Sequence, residues 1–284
     1  MILGIHVSGA GKLHESPAVA RGLGCDTMQI FARSPQRWRG DFIGKDEAGL
    51  FVKEKRKLRI DPLFIHISYL INLASPDPGL YSSSVDAYIE DMLEADILEA
   101  DYIVTHMGSH KETSEEAGIE RLIEALNRII DKTQSAKVGI LLENTTGSGS
   151  WLGYKFAHLK KILQGIKDKK RIGLCLDTAH AYLAGYDIST KTGLEKTLGE
   201  INEAGGLGIL KLIHLNDAKG ALGSKHDRHE HIGKGSIGLE GMKRIVNHPK
   251  LKNIPFILET PKEREGDEAR NLNTVRKLAG IKTQ

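Results

Sequence analysis

The chain has 284 residues, 40% hydrophobic and 27% charged, the profile of a water-soluble globular protein large enough to bury a full core without disulfides. A net charge of +3 permits an acidic partner such as nucleic acid without demanding one, and alone it reads as simple solubility. The two cysteines, Cys25 and Cys175, lie in no CxxC pair, which excludes a disulfide framework and speaks for a reducing compartment and against cysteine-based metal binding.

In chain order, the opening MILGIHVSGAGKLHE reaches His6 too soon for the apolar stretch of a signal peptide. No uninterrupted apolar run approaches the roughly 18 residues needed to span a bilayer. A cytoplasmic protein with no membrane partner is expected. Strands are predicted at 2–7 (ILGIHV), 27–32 (TMQIFA), 62–67 (PLFIHI), 102–107 (YIVTHM), 138–143 (VGILLE), 172–177 (IGLCLD), 210–215 (LKLIHL) and 255–260 (PFILET). Between them apolar residues recur with helical spacing, most clearly over 85–100, 118–132 and 155–168, with Ser82–Ser84 and Ser114 as N-cap candidates. The run KEKRKLR (53–59) reads as a solvated helix face rather than a DNA patch. No linker or composition break divides the chain. Repeated βα units with near-continuous apolar strands predict a single-domain α/β protein over 1–284, a (β/α)8 TIM barrel, with a doubly wound open sheet as the alternative.

The ends of these strands carry the functional information. Six of the runs finish at or near His66, His106, Glu143, Asp177, His214 and Glu259, separated by 40, 37, 34, 37 and 45 residues, about one βα unit each. A βα barrel delivers the carboxyl ends of all its strands to one face, where active sites are built. One such residue at a strand end is most simply a satisfied polar group or a helix cap. Six in phase are different, because burying three carboxylates with three imidazoles and no cation is very unfavourable. A multi-metal site follows. DTAH places Asp177 and His180 three apart at a strand-to-helix turn, and DRH places Asp227 and His229 two apart in a loop after strand seven. Nitrogen and oxygen donors without thiolates suit Zn²⁺, with Mn²⁺ or Fe²⁺ as alternatives, and nine candidates are enough for two or three ions sharing carboxylates.

Six segments, HISYLINLASP (66–76), HMGSH (106–110), LLENTTGSGS (141–150), GLCLDTAHAYLAGYD (173–187), HLNDAKGALGSKHDRHEHIGKGSIG (214–238) and ILET (257–260), make the sequence resemble the endonuclease IV family. These are metal-dependent barrel endonucleases acting at abasic sites in DNA. The resemblance spans essentially the whole chain. It implies a TIM barrel with three zinc ions: His66, His106 and Glu143 on the first; bridging Glu143 with Asp177, His214 and Glu259 on the second; His180, Asp227 and His229 on the third. It also implies phosphodiester cleavage 5′ to the abasic residue in double-stranded DNA, within base excision repair, with 3′-hydroxyl and 5′-deoxyribose phosphate products. Glu143 would fix the metal spacing. Glu259 would orient or deprotonate the attacking water, or serve purely as a ligand.

In the family the loop holding Tyr69 and Leu70 wedges into the base stack, an aromatic and an aliphatic residue being suited to that; the alternative is packing on the barrel rim. FARSPQRWRG (31–40) interleaves Arg33, Arg37, Trp38 and Arg39, suiting phosphate contact and stacking. Here the chain reads Gln36-Arg37-Trp38 where the family usually has an arginine one position earlier, so the residue filling the abasic gap is open. Ala179 replaces a residue that is usually small and polar or sulfur-bearing. His6 reads as a ligand-orienting residue or a satisfied core histidine. His110, Asn216, Lys219 and Arg228 are expected at phosphate or behind the ligands, and His226, Glu230 and His231 as a solvated charge run. Nothing demands more than a monomer. The competing readings are a divalent-metal sugar isomerase of the related barrels, which leaves Asp227, His229 and the Tyr69-Leu70 wedge unused, and a damage-binding protein without cleavage.

Overall fold

The computed structural model describes residues 1–7, 12–31, 33, 38 and 42–281. The chain runs β1 (Leu3–His6), α1 (Ser16–Gly22), β2 (Thr27–Phe31), α2 (Lys45–Leu58), β3 (Leu63–His66), α3 (Pro78–Ile97), β4 (Tyr102–His106), α4 (Glu115–Lys132), β5 (Gly139–Glu143), α5 (Phe156–Gly165) and β6 (Ile172–Asp177). It continues through α6 (Thr178–Ala184), α7 (Lys191–Gly205), β7 (Leu210–His214), the two-residue strands β8 (Asp217–Ala218) and β9 (His229–Glu230), α8 (Gly238–Asn247), β10 (Phe256–Leu258) and α9 (Asp267–Leu278). Eight parallel strands close in the order β1-β10-β7-β6-β5-β4-β3-β2. Pairing of β1 with both β10 and β2 leaves no edge, so the open-sheet alternative is excluded. Among the described residues no helix is long and apolar enough to cross a membrane.

The expected strands are mostly trimmed by a residue or more, because the ladder ends where backbones diverge toward the loops. Ser114 caps α4 as expected, its hydroxyl accepting from the Ala117 amide at 3.1 Å. Glu115 and Glu116 sit in the favourable first turn, and Ile119, Leu122, Leu126 and Ile129 face the barrel. Ser82–Ser84 do not cap α3. That helix begins earlier, at Pro78, with the Asp77 carboxylate accepting from Leu80 at 2.6 Å, so the serines fall inside it. The run 53–59 lies on α2 up to Leu58, with Arg59 just past its end, but not all of it is solvated: Lys55 is buried and donates to the Glu99 carbonyl at 2.6 Å.

Inside the barrel, Phe64, Val104, Leu141, Cys175, Leu212 and Ile257 form a fully buried layer, one residue from each of β3, β4, β5, β6, β7 and β10. Residues two apart on a strand share a face. Two positions further along stand His66, His106, Glu143, Asp177, His214 and Glu259, so the pleat turns these six to the same inward side, one step nearer the carboxyl mouth.

Candidate metal centre

His66 Nε2 and His106 Nε2 lie 3.3 and 3.2 Å from one oxygen, Glu143 Oε2. His214 Nδ1 lies 2.9 Å from the other, Glu143 Oε1, and 3.2 Å from Glu259 Oε2. Glu143 therefore stands between two groups, His66-His106-Glu143 and Glu143-Asp177-His214-Glu259, in each of which the donor atoms lie within 4.8 Å of one another. Asp177, His180 and His229 make a third group by the same spacing. Asp227 joins its outer side, Oδ1 lying 3.1 Å from His180 Nε2 and 3.8 Å from His229 Nε2. Cys175 also falls within 4.8 Å of Glu143 and His214. Burial pushes its thiol up to about 12, so without an ion beside it the thiol stays protonated.

Glu143, Asp177 and His214 are fully buried, and among the described residues neither carboxylate has a lysine or arginine partner within ion-pair distance. The charge has to be met by the imidazoles. Burial drives the Glu143 carboxyl up, but His214 and His106 reverse this and hold it well below its ordinary 4.5. Burial pulls His214 down, and the carboxylates of Glu259 and Glu143 outweigh it, leaving it well above 6.5. Burial likewise opposes Asp177, Asp227 and Glu143 at His180, and the carboxylates win. A cluster that draws protons onto its own histidines is short of positive charge, and divalent ions would replace those protons. The residues present therefore fit bound metal.

Local structure holds these side chains. Asp177 ends β6 and caps α6: Oδ1 accepts from the His180 amide at 2.6 Å, which turns His180 into the cup one helical turn later. Its Oδ2 accepts from Asn216 Nδ2 at 2.7 Å, while Asn216 Oδ1 accepts from the Glu259 amide at 2.8 Å, so Asn216 sits behind two candidate ligands. Asn144 pairs with the Asp177 backbone in both directions, at 2.8 and 3.1 Å. Asn72 ties the loop after β3 to the loop after β4, donating to the Ser109 carbonyl and accepting its amide, both at 2.9 Å. Residue 108 must be glycine, with φ of +81° and any Cβ only 2.6 Å from Asn72 Oδ1.

The most consequential residue that the motifs carried unnoticed is Asp217 of HLND. Its buried carboxylate accepts from the amides of Ala218, Gly233, Gly235 and Ile237 at 2.9–3.0 Å, folding HIGKGSIG back onto β8. A Cβ at Gly235 would lie 2.4 Å from the Ala218 carbonyl. The clamp sets the β8–β9 pairing of Ala218 with His229, and so aims His229 at the cup. A short polar residue amid glycines was the available signal.

At the rim Tyr69 is 65% exposed, its ring edge-on to Phe31 at 5.4 Å, and Leu70 is half-buried. Beside them a cavity of about 270 Å³ is lined by Tyr69, Ile71, Thr145, Trp151, His106 and Asp227, among others. Trp151, which sequence reasoning missed, stands edge-on to His106 at 5.8 Å. Trp38 is exposed, whereas Gln36, Arg37 and Arg39 lie outside the described residues. Arg33 is a correction: it turns inward, pairing with Asp91 at 2.7 Å and donating to the Ala87 carbonyl at 2.8 Å, and so is not a phosphate contact. Arg228, Lys219 and His226 are exposed, and His110 is half-exposed with Nδ1 2.6 Å from the Thr113 carbonyl. Glu230 and His231 are half-buried rather than solvated, since Asn271 donates to His231 Nδ1 at 3.0 Å. His6 reaches Glu259 Oε1 at 3.2 Å, behind a candidate ligand.

A closed parallel barrel with imidazoles and carboxylates gathered at its carboxyl mouth defines a barrel enzyme built to hold metal. The family model described as xylose isomerase-like TIM barrel matches residues 17–281. A protein of Methanoculleus marisnigri named probable endonuclease 4 is 41% identical over 99% of both chains, and one of that name from Halothermothrix orenii is 42% identical over 92% of this chain and 94% of its own. The crystal structure of endonuclease IV from Thermus thermophilus superposes with a TM-score of 0.87 at 34% identity, covering 99% of both chains. The chain belongs to the endonuclease IV family, the AP endonucleases of DNA repair, and is by that membership a DNA-hydrolysing enzyme.

Proposed function

We propose that this one-domain barrel hydrolyses the phosphodiester bond on the 5′ side of abasic residues in double-stranded DNA, leaving 3′-hydroxyl and 5′-deoxyribose phosphate ends, in base excision repair in the cytoplasm. The observation that carries the reading is the convergence of nine nitrogen and oxygen donors in one cup beside an exposed aromatic residue at its lip. His66, His106 and Glu143 would hold one zinc ion, Glu143, Asp177, His214 and Glu259 a second, and His180, Asp227 and His229 a third, with Mn²⁺ or Fe²⁺ as substitutes. Such ions supply a water that ionises near neutral pH and neutralise charge on the attacking and leaving oxygens.

The protein's own residues do the rest. Burial raises the Glu259 carboxyl, but the charge of His214 holds it well below 4.5, so it is ionised and able to orient a water or accept its proton. Glu143, bonded from both sides, fixes the spacing of the two groups it joins. Tyr69 and Leu70 enter the bent duplex beside the extruded abasic sugar, Trp38 stacks, and Gln36, Arg37 and Arg228 contact the backbone or fill the gap. A monomer suffices.

The test is incision of an end-labelled duplex carrying one abasic-site analogue, with and without chelator, alongside metal analysis and sedimentation. Chelator-sensitive incision, an extendable 3′ end and about three ions per chain are expected. Binding without incision would leave a damage-binding protein. No binding, with ketose–aldose turnover instead, would leave a sugar isomerase, and about one ion per chain would overturn the three-ion assignment.

A further inference from the structure

Gln29 is a neutral side chain fully buried on β2, and its register neighbours are His6 on β1 and Phe64 on β3. It belongs to none of the motifs that mark the family, yet it touches two candidate ligands at once. We propose that Gln29 is a positioning residue that sets which nitrogen of His214, and which oxygen of Glu259, faces the metal; the inference rests on the metal centre proposed above.

Matching donors to acceptors fixes the orientation of the amide. A carboxylate only accepts, and Glu259 Oε1 lies 2.6 Å from Gln29 Nε2, so the amide nitrogen must be on that side. The amide oxygen is then on the other side, 2.8 Å from His214 Nε2. An amide oxygen also only accepts, so His214 Nε2 must carry the proton of the neutral ring. That leaves the Nδ1 lone pair open, and Nδ1 is the atom lying 2.9 Å from Glu143 Oε1 and 3.2 Å from Glu259 Oε2. At the same time Glu259 Oε1 is occupied, which leaves Oε2 as its donor into the cup. The second amide hydrogen of Gln29 goes to His6 Nδ1 at 2.9 Å, so every polar group of the side chain is used. One flipped or missing amide would free His214 to place its hydrogen on Nδ1, where it cannot bind metal.

The experiment compares the wild-type protein with Gln29→Leu and Gln29→Glu. Leucine removes both contacts; glutamate keeps an acceptor for His214 but sets a negative oxygen against Glu259. The readouts are Zn²⁺ affinity by competition with a chromophoric chelator, the visible absorption of the Co²⁺-loaded protein, and kcat and KM on abasic duplex. Both variants should lose about 10- to 100-fold in affinity for one class of ion. The Co²⁺ spectrum should change, and kcat should fall while KM holds. A folded Gln29→Leu protein with wild-type Zn²⁺ affinity and Co²⁺ spectrum would overturn the proposal. If that variant does not fold, Gln29→Glu decides the matter by the same readouts. Wild-type protein that takes up no Zn²⁺ at all would sink the metal centre itself, a separate failure visible before any variant is made.

Discussion

Two layers of the same barrel, two residues apart on the same six strands, have opposite chemistry. The lower layer, Phe64, Val104, Leu141, Cys175, Leu212 and Ile257, is apolar apart from one thiol and fully buried. The upper layer, His66, His106, Glu143, Asp177, His214 and Glu259, sits two residues further along the same inward-facing pleat but is all imidazole and carboxylate. The backbone does not distinguish them. The lower layer is satisfied by packing alone, whereas the upper one sets three carboxylates at close range, which stay together only with cations, or protons on the imidazoles, among them. Stability and function are thus stacked along one axis, and each can be struck separately.

The largest effect is expected in the upper layer. Glu259→Gln should lower the incision rate on the order of 10²–10⁴-fold while DNA affinity, measured by fluorescence anisotropy, is spared. A near-normal rate would remove its assigned role and make it a ligand at most. One layer down, Leu141→Ala should instead cost about 2–5 kcal/mol of stability by denaturant titration, leaving the metal content of the folded fraction unchanged. Metal loss in step with that destabilisation would mean that the layers are not separable. On the rim above both, Tyr69→Ala should weaken binding to abasic duplex roughly 10-fold, the scale of a lost stacking contact, and leave the melting temperature alone. An unchanged affinity would return Tyr69 to mere rim packing.

The smallest effect is a reversal of sign with pH. In chelated protein His180 and His214 have pKa values raised above the ordinary 6.5, so their ion pairs stabilise fully below 6.5 and are lost as pH rises through the raised values. Glu143 and Glu259 have depressed values, so their contribution is present above 4.5 and lost as pH falls through the lower ones. The metal-free melting temperature should therefore decline as pH climbs above 6.5. Metal-loaded protein should gain over the same range, because protons stop competing for the ligands. Parallel curves for the two forms would mean that the cluster does not exchange protons for metal.

Much of this was legible in the chain. Strand ends spaced by one βα unit place their residues at one mouth because all crossovers are alike, and the alternation of apolar and donor residues along each strand is written in the order of the letters. The helix starting at Pro78 was harder, since a serine run and a single aspartate offer equal capping chemistry and only the chain path toward α3 chooses between them. Arg33 could not be read at all: a basic residue beside an aromatic loop looks like a phosphate contact until Asp91, nearly sixty positions on, is seen to claim it.

Residue order alone was enough for the barrel and the family, because these depend on residue type and on the regular period of strands and βα units. It took the folded chain to show that Asp177 also stands within reach of His180 and His229, how Asp217 holds the β8–β9 hairpin, and that Gln29 lies between His214 and Glu259. Those are contacts between residues up to 230 positions apart. No local period encodes them, and the closure of the barrel is what brings the first strands beside the last.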